Sequence, residues 1–361
     1  MKNAVVRYLI LFGYPLLAII LALLASSGLI LAVGAQPVVA FRALFRGAFG
    51  NANSLAETLL KATPLLFAAL GMCVAFSARI WNIGAEGQLY IGALMTAIVG
   101  IYAPMTSKVI AIPAMMLASF LAGGCWAAIP GWLKGRFGVS EIITTIMMNY
   151  IAIFLISYMI HHPLRDPQGY LPQSQTLQAA AKLPILLTKT RLHLGIALGI
   201  LAAFIVYFIF KKTTLGYQMR VVGHNPLAAK YGGINVSRII LVSMLLSGGL
   251  AGMAGMVEIA GVHQRLIENI SPGYGYTAIV IALLSYLHPL VVIVISILFA
   301  GLMVGADAMQ RMAGLPAALA SVVQGLIVLF VLASEYAVKR HLQSLRRENE
   351  NITPLPEVRG K

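Results

Sequence analysis

Ten apolar runs recur along the chain, near 8–31, 54–76, 85–102, 109–130, 141–160, 193–210, 237–260, 275–287, 289–305 and 317–337, each bounded by charge, proline or glycine. A hydrocarbon core of about 30 Å takes roughly 20 apolar residues in helical form. With no water to satisfy backbone N–H and C=O groups there, each run must bond internally. The expectation is an all-α, polytopic helical membrane protein with about ten transmembrane helices. Composition agrees: 60% of residues are hydrophobic and 10% charged, outside the range of soluble domains. A transmembrane domain is expected over 1–345, with a short tail over 346–361. The runs at 85–102 and 275–287 are short and follow turns containing glycine or proline, as broken helices do.

Basic residues set the orientation, because they favour the cytoplasmic side of short loops. With the N-terminus inside, Lys2, Arg7, Arg79, Lys134, Arg136, Lys211, Lys212, Arg220, Lys230, Arg238, Lys339, Arg340, Arg346, Arg347, Arg359 and Lys361 fall inside. Arg42, Arg46, Lys108, Arg165, Lys182, Lys189, Arg191, Arg265 and Arg311 fall outside, and Lys61 lies within a span. Both termini are therefore expected in the cytoplasm. Residues 1–35 have the order of a secretory signal, but an apolar run of about 24 residues is longer than a signal core, which favours a retained first span.

The net charge of +15 is scattered over loops between apolar runs. Such a distribution suits anionic lipid headgroups rather than nucleic acid. Cys73 and Cys125 both fall in apolar runs and read as small buried residues. No Walker loop, His-Glu-x-x-His or Gly-x-Ser-x-Gly motif occurs. Any chemistry the protein depends on is expected from another chain, with no metal and no catalytic residue here.

The segment 161–192 is the one long external stretch, rich in proline and glutamine. It reads as an ordered loop or short surface helices, either a plain linker or a receiving surface for an external partner. The adjacent His161 and His162 lack the i, i+4 spacing of a metal site.

Polar groups at membrane depth need a reason, because hydrocarbon penalises them. Asn82-Ile-Gly-Ala-Glu86-Gly-Gln88 places three polar side chains and two glycines between apolar runs. It reads as a backbone break lining a pathway, or as a loop tied by an Arg79–Glu86 pair. The stretch from Glu258 to Tyr276 holds His263, Gln264, Arg265, Glu268, Asn269 and then Ser271-Pro-Gly-Tyr274-Gly-Tyr276. Tyr274 and Tyr276 would stack on a base or sugar, or sit in an interfacial aromatic belt. Asn82-Ile83 and Asn269-Ile270 each precede a glycine-containing turn, and five runs separate them. An inverted repeat of 54–160 and 237–337 would give this pattern, with the path between the two breaks. Gly248-x-x-x-Gly252 and Ala251-x-x-x-Gly255 predict close helix packing.

Between the sixth and seventh runs lies a polar island, 211–238. Asn225 and Pro226 mark the start of a short helix, and Ala228 and Ala229 would let it pack tightly. The pattern Thr213-x-x-Gly216, then Gly223-x-Asn225-x-x-Ala228-Ala229-x-x-x-Gly233-Ile-Asn-Val236 resembles the coupling region of ABC-importer permeases of the simple sugar/nucleoside (ribose-type) family. Asn82 to Gln88, Phe137-Gly-Val-Ser-Glu141 through Thr144-Thr145 to Asn149-Tyr150, and Pro163-Leu-Arg165-Asp166-Pro167 resemble its nucleoside branch.

That resemblance implies a type II-like permease fold in a bacterial plasma membrane. It implies a second homologous permease, a cytoplasmic ABC ATPase that binds the ATP, and an external substrate-binding lipoprotein or periplasmic protein. Gly223, Asn225, Pro226, Ala228, Ala229 and Gly233 would form the ATPase coupling element. Asn82, Glu86, Gln88, Asn149, Tyr274 and Tyr276 would lie at the substrate path. The expected cargo is a nucleoside, with ribose or another simple sugar as the alternative. A different class, the ion-coupled secondary transporter, would use intramembrane carboxylates such as Glu57, Glu141, Glu258 and Asp307.

Overall fold

The computed structural model describes residues 17–18, 20–104 and 106–352. Lys2, Arg7, the first part of the 8–31 run, Arg359 and Lys361 lie outside the described residues. Among the described residues the regular elements are helices: α1 (Ile20–Ala32), then α2 (Pro37–Phe49), α3 (Ala52–Ser77), α4 (Ala85–Tyr102), α5 (Lys108–Phe137), α6 (Glu141–His161), α7 (Gly195–Lys212), α8 (Thr214–His224), α9 (Pro226–Tyr231), α10 (Val236–Val257), α11 (Tyr274–Leu284), α12 (Pro289–Ala313) and α13 (Ala317–Ile352). A π-helical turn, Glu258–His263, extends α10.

Among the described residues, each apolar run lies largely on a helix. Seven of the helices are long and apolar enough to cross a bilayer, and the α1–α2 pair, bent by 120°, adds an eighth if it counts as one span. The remaining two runs are α4, with 18 residues, and α11, with 11, the pair whose shortness the sequence displays. Helix α2 is unforeseen, since Arg42 and Arg46 disguise a run with Pro37 at its first turn. Residues 346–352 continue α13, so the tail begins inside a helix.

The chain divides into two compact units. In the first, residues 51–301, helices α3 and α10 form the interior: the apolar window of α3 is 89% buried and that of α10 72%, against 28% for α5 and 22% for α6. Helix α4 joins this core with its first ten residues buried. The crossing is made by small residues. A Cβ on Gly252 would stand 2.3 Å from the Ser119 carbonyl oxygen, and one on Gly255 only 2.0 Å from that of Leu89. The Gly248 to Gly255 motif thus brings α10 into backbone contact with α4 and α5, as its spacing predicts. In the second unit, 1–50 with 302–361, Ile30, Ala40, Ala43, Met309, Leu315 and Val323 close a separate apolar core.

Cys73 is buried, as expected, but Cys125 is exposed on α5. The correction follows from α5 being an outer helix, with most of its surface turned away from the core. The 162–194 segment is ordered by backbone pairing. Leu183 N–H donates to Ala260, Leu177 N–H to Gln264 and Ser174 N–H to Leu266, each at 2.9 Å, so the loop is stitched to the end of α10 and the turn after it.

Candidate functional site

Two helix breaks meet inside the first unit. The first, residues 78–84, turns the chain from α3 into α4, with Arg79 in the left-handed region at φ 54. The second, 264–273, leads from α10 to α11 with Gln264 and Asn269 likewise left-handed. Irregular backbone at such depth is stable only where protein covers it, and Leu266, Ile270 and Ser271 are buried. Gly273 stands at φ +95 before α11, and the Ser271 hydroxyl accepts from Tyr274 N–H at 2.9 Å, which caps the helix.

The six pathway candidates gather at this junction. The Asn82 amide donates to Gln88 Oε1 at 3.0 Å and to Ser247 Oγ at 2.9 Å. Gln88 Nε2 donates back to Asn82 Oδ1 at 2.8 Å. Asn149, on α6, accepts from Gly87 N–H at 2.8 Å and donates to the Ile83 carbonyl at 2.9 Å and to the Tyr276 hydroxyl at 3.2 Å. Glu86 closes the ring, its Oε2 accepting from Gly275 N–H at 2.7 Å. The first turns of α4 and α11 therefore share one carboxylate, placed where both helix dipoles favour negative charge. A Cβ on Gly275 would fall 2.3 Å from Glu86 N, so glycine permits this approach.

Burial sorts the six. Asn82, Glu86, Gln88, Asn149 and Tyr274 are buried, and Tyr276 is 43% exposed. Glu86 ties the first break to the second through Gly275, and Asn149 joins the first break to Tyr276. Asn82 and Gln88 bond each other and Asn82 reaches Ser247 of α10, while the Tyr276 ring faces outward, with Tyr150 exposed on the neighbouring α6. Sequence reading missed Ser247, which directly precedes the Gly248-x-x-x-Gly252 motif.

The 211–238 island folds as α8 and α9. Asn225 Oδ1 accepts from Leu227 N–H at 3.0 Å and Ala228 N–H at 3.1 Å, capping α9, and Pro226 occupies its first turn. Gly223 lies against α3, where a Cβ would meet the Ser77 carbonyl oxygen at 2.2 Å. Gly233, at φ +79, turns the chain toward α10. Ala228 is exposed but Ala229 is fully buried, so Ala229 seats α9 on its own chain. The large exposed apolar groups of α9 are Leu227 and Tyr231, which the small-residue pattern did not single out.

Comparison with known proteins decides the class. The model of the family described as branched-chain amino acid transport system / permease component matches residues 54–332, which takes in both breaks and α8–α9. The chain belongs to this permease family. A guanosine ABC transporter permease protein of Bacillus subtilis is 37% identical over 342 residues, covering 93% of this permease and 97% of the relative. A glucose ABC transporter permease protein of Haloferax volcanii is 34% identical, covering 90% and 88%, and a nucleoside ABC transporter permease protein of Lactococcus lactis 32%, covering 88% and 89%. No solved structure matches this permease.

Carboxylates that an ion-coupled carrier would need have structural partners. In the permease, Glu57 takes a two-point contact from Arg191, the shorter at 2.6 Å. Glu141 pairs with Lys134 at 2.9 Å and Glu258 with His263 at 3.4 Å. The Glu57 carboxylate holds the Arg191 guanidinium above its ordinary pKa. His193, just before α7, is buried and accepts from Gly195 N–H at 3.1 Å. Burial pushes its pKa down to about 4, so the ring is neutral at physiological pH.

Proposed function

We propose that the chain is one permease subunit of an ATP-driven importer for nucleosides, working in a bacterial plasma membrane with both termini cytoplasmic. A second homologous permease, an ABC ATPase docked on α8–α9 and an external substrate-binding protein complete the machine. One observation carries the substrate reading: Tyr276 presents a half-exposed ring whose hydroxyl is held by Asn149 at 3.2 Å, on an otherwise buried network. A flat aromatic face with an oriented hydroxyl suits a base and its ribose. The guanosine and nucleoside transporter relatives support the same reading.

The glucose transporter relative, at 34% identity, favours a second reading, that of a simple sugar. In proteoliposomes holding the complete importer, ATP-dependent uptake of labelled guanosine and glucose separates the two. Guanosine uptake that ceases with an ATPase-inactive partner supports the proposal. Uptake of glucose alone would overturn the substrate, and uptake that survives ATPase loss but collapses with an ionophore would overturn the importer.

A further inference from the structure

At the α8–α9 end of the first unit, a cavity of about 500 Å³ opens between the last turns of α5 and the first turn of α10, lined by Trp132, Arg136, Asn235, Ser237, Arg238 and Leu241 among others. Its walls are pinned together, the Ser237 hydroxyl donating to the Gly135 carbonyl at 2.6 Å. We propose that this cavity binds the phosphate of an anionic phospholipid headgroup.

Four observations converge. The nearby Lys134 is neutralised by Glu141 at 2.9 Å, whereas neither the Arg136 nor the Arg238 side chain has an ion-pair or hydrogen-bond partner among the described residues. Two guanidiniums on one cavity repel unless an anion lies between them, and their planar forks match phosphate oxygens. Arg238 sits in the first turn of α10, where the helix dipole opposes a cation and favours an anion. The surroundings identify the source of the phosphate. Helix α5 is an outer helix, only 28% buried over its apolar window. Trp132 and Phe137 are both exposed on its last turns, ring centroids 5.2 Å apart and edge to face. Exposed aromatics that end an apolar helix mark headgroup depth, and basic pockets between membrane helices at that depth hold acidic headgroups. A free phosphate would have no use for that aromatic rim.

The test uses the complete importer in a zwitterionic detergent. Thermal unfolding is followed while phosphatidylglycerol, phosphatidylcholine or inorganic phosphate is titrated in. Phosphatidylglycerol should stabilise with an apparent affinity that falls roughly fivefold for each of Arg136→Gln and Arg238→Gln, and Lys211→Gln should leave it unchanged. Equal response to phosphatidylcholine, or unchanged affinity in the double variant, overturns the site. Equal response to inorganic phosphate reassigns it to free anions and overturns the lipid. Loss of ATPase co-purification in the double variant with lipid affinity intact makes it a protein contact instead. Should the variants not fold, the unaltered importer still decides: brominated phosphatidylglycerol should quench the emission that Trp132→Phe removes more strongly than brominated phosphatidylcholine does, and equal quenching overturns the proposal.

Discussion

Adding a single methyl group at Gly275 should uncouple the two breaks. In Gly275→Ala the new Cβ would lie 2.3 Å from Glu86 N, 2.7 Å from Glu86 Cα and 2.8 Å from Ala85 C. All three are backbone atoms of α4, so no rotamer change relieves the contact. Ordinary separation demands a shift of α11 by roughly 1 Å. That shift breaks the 2.7 Å bond from Gly275 N–H to Glu86 and leaves a buried carboxylate without its backbone donor. A lost hydrogen bond to a charged group costs about 1.5–3 kcal/mol, and overpacking adds about 1–3 kcal/mol. The sum, roughly 2.5–6 kcal/mol, is a large part of a typical domain's stability. Unfolding in a sodium dodecyl sulfate titration measures it, alongside ATP-driven uptake in proteoliposomes. Gly325→Ala is the control: its Cβ meets nothing within 4 Å, and an alanine inside a helix should stabilise by about 0.5–1 kcal/mol. If Gly275→Ala unfolds within about 1 kcal/mol of the parent and transports normally, the two helix starts do not depend on each other, and the reasoning fails.

Further outcomes follow from the same geometry. Asn82→Ala leaves Gln88 and Ser247 short of a buried partner and should cost about 1–3 kcal/mol in the same titration. Tyr276→Ala should lower uptake at least severalfold with little change in unfolding, and equal uptake would remove Tyr276 from the path. The double replacement Leu227→Ser, Tyr231→Ser should weaken ATPase co-purification without altering membrane insertion. Ala229→Trp should instead lower the unfolding midpoint, since the site is closed. His193 supplies a pH dependence: its folded pKa of about 4 lies below the ordinary 6.5, so the unfolded chain takes up the proton more readily. Stability is complete above about pH 6.5 and declines by up to roughly 3 kcal/mol as pH falls toward 4. Melting curves at pH 7 and 4.5 should show a smaller difference in His193→Gln.

How much of this was legible differs between fold and site for a physical reason. Apolar runs and capping residues act locally, so Asn225-Pro226 and the helical character of the apolar runs could be read directly. Helix α2 was hidden because its arginines interrupt the hydropathy that otherwise marks a span. The polar clusters were visible as exceptions within apolar sequence, but a polar residue does not disclose what satisfies it. Asn82 finds Ser247 across 165 positions and Glu86 finds Gly275 across 189. Those pairings turn Asn82, Gln88 and Glu86 inward, leaving Tyr276 as the outward group. Likewise the alanines of α9 announced tight packing without saying against what, and Ala229 packs on its own chain.

Gly223 of α8 rests on the carbonyl of Ser77, and the Asn82 knot begins five residues later along the same strand of polypeptide. Whatever tilts α8 therefore pushes on the covalent chain that carries the knot, with no relay of side chains between. Such a connection behaves as a short rigid crank: it has little slack to absorb a stroke, and Arg79, the one left-handed residue in the 78–84 turn, is the joint about which that stroke would pivot.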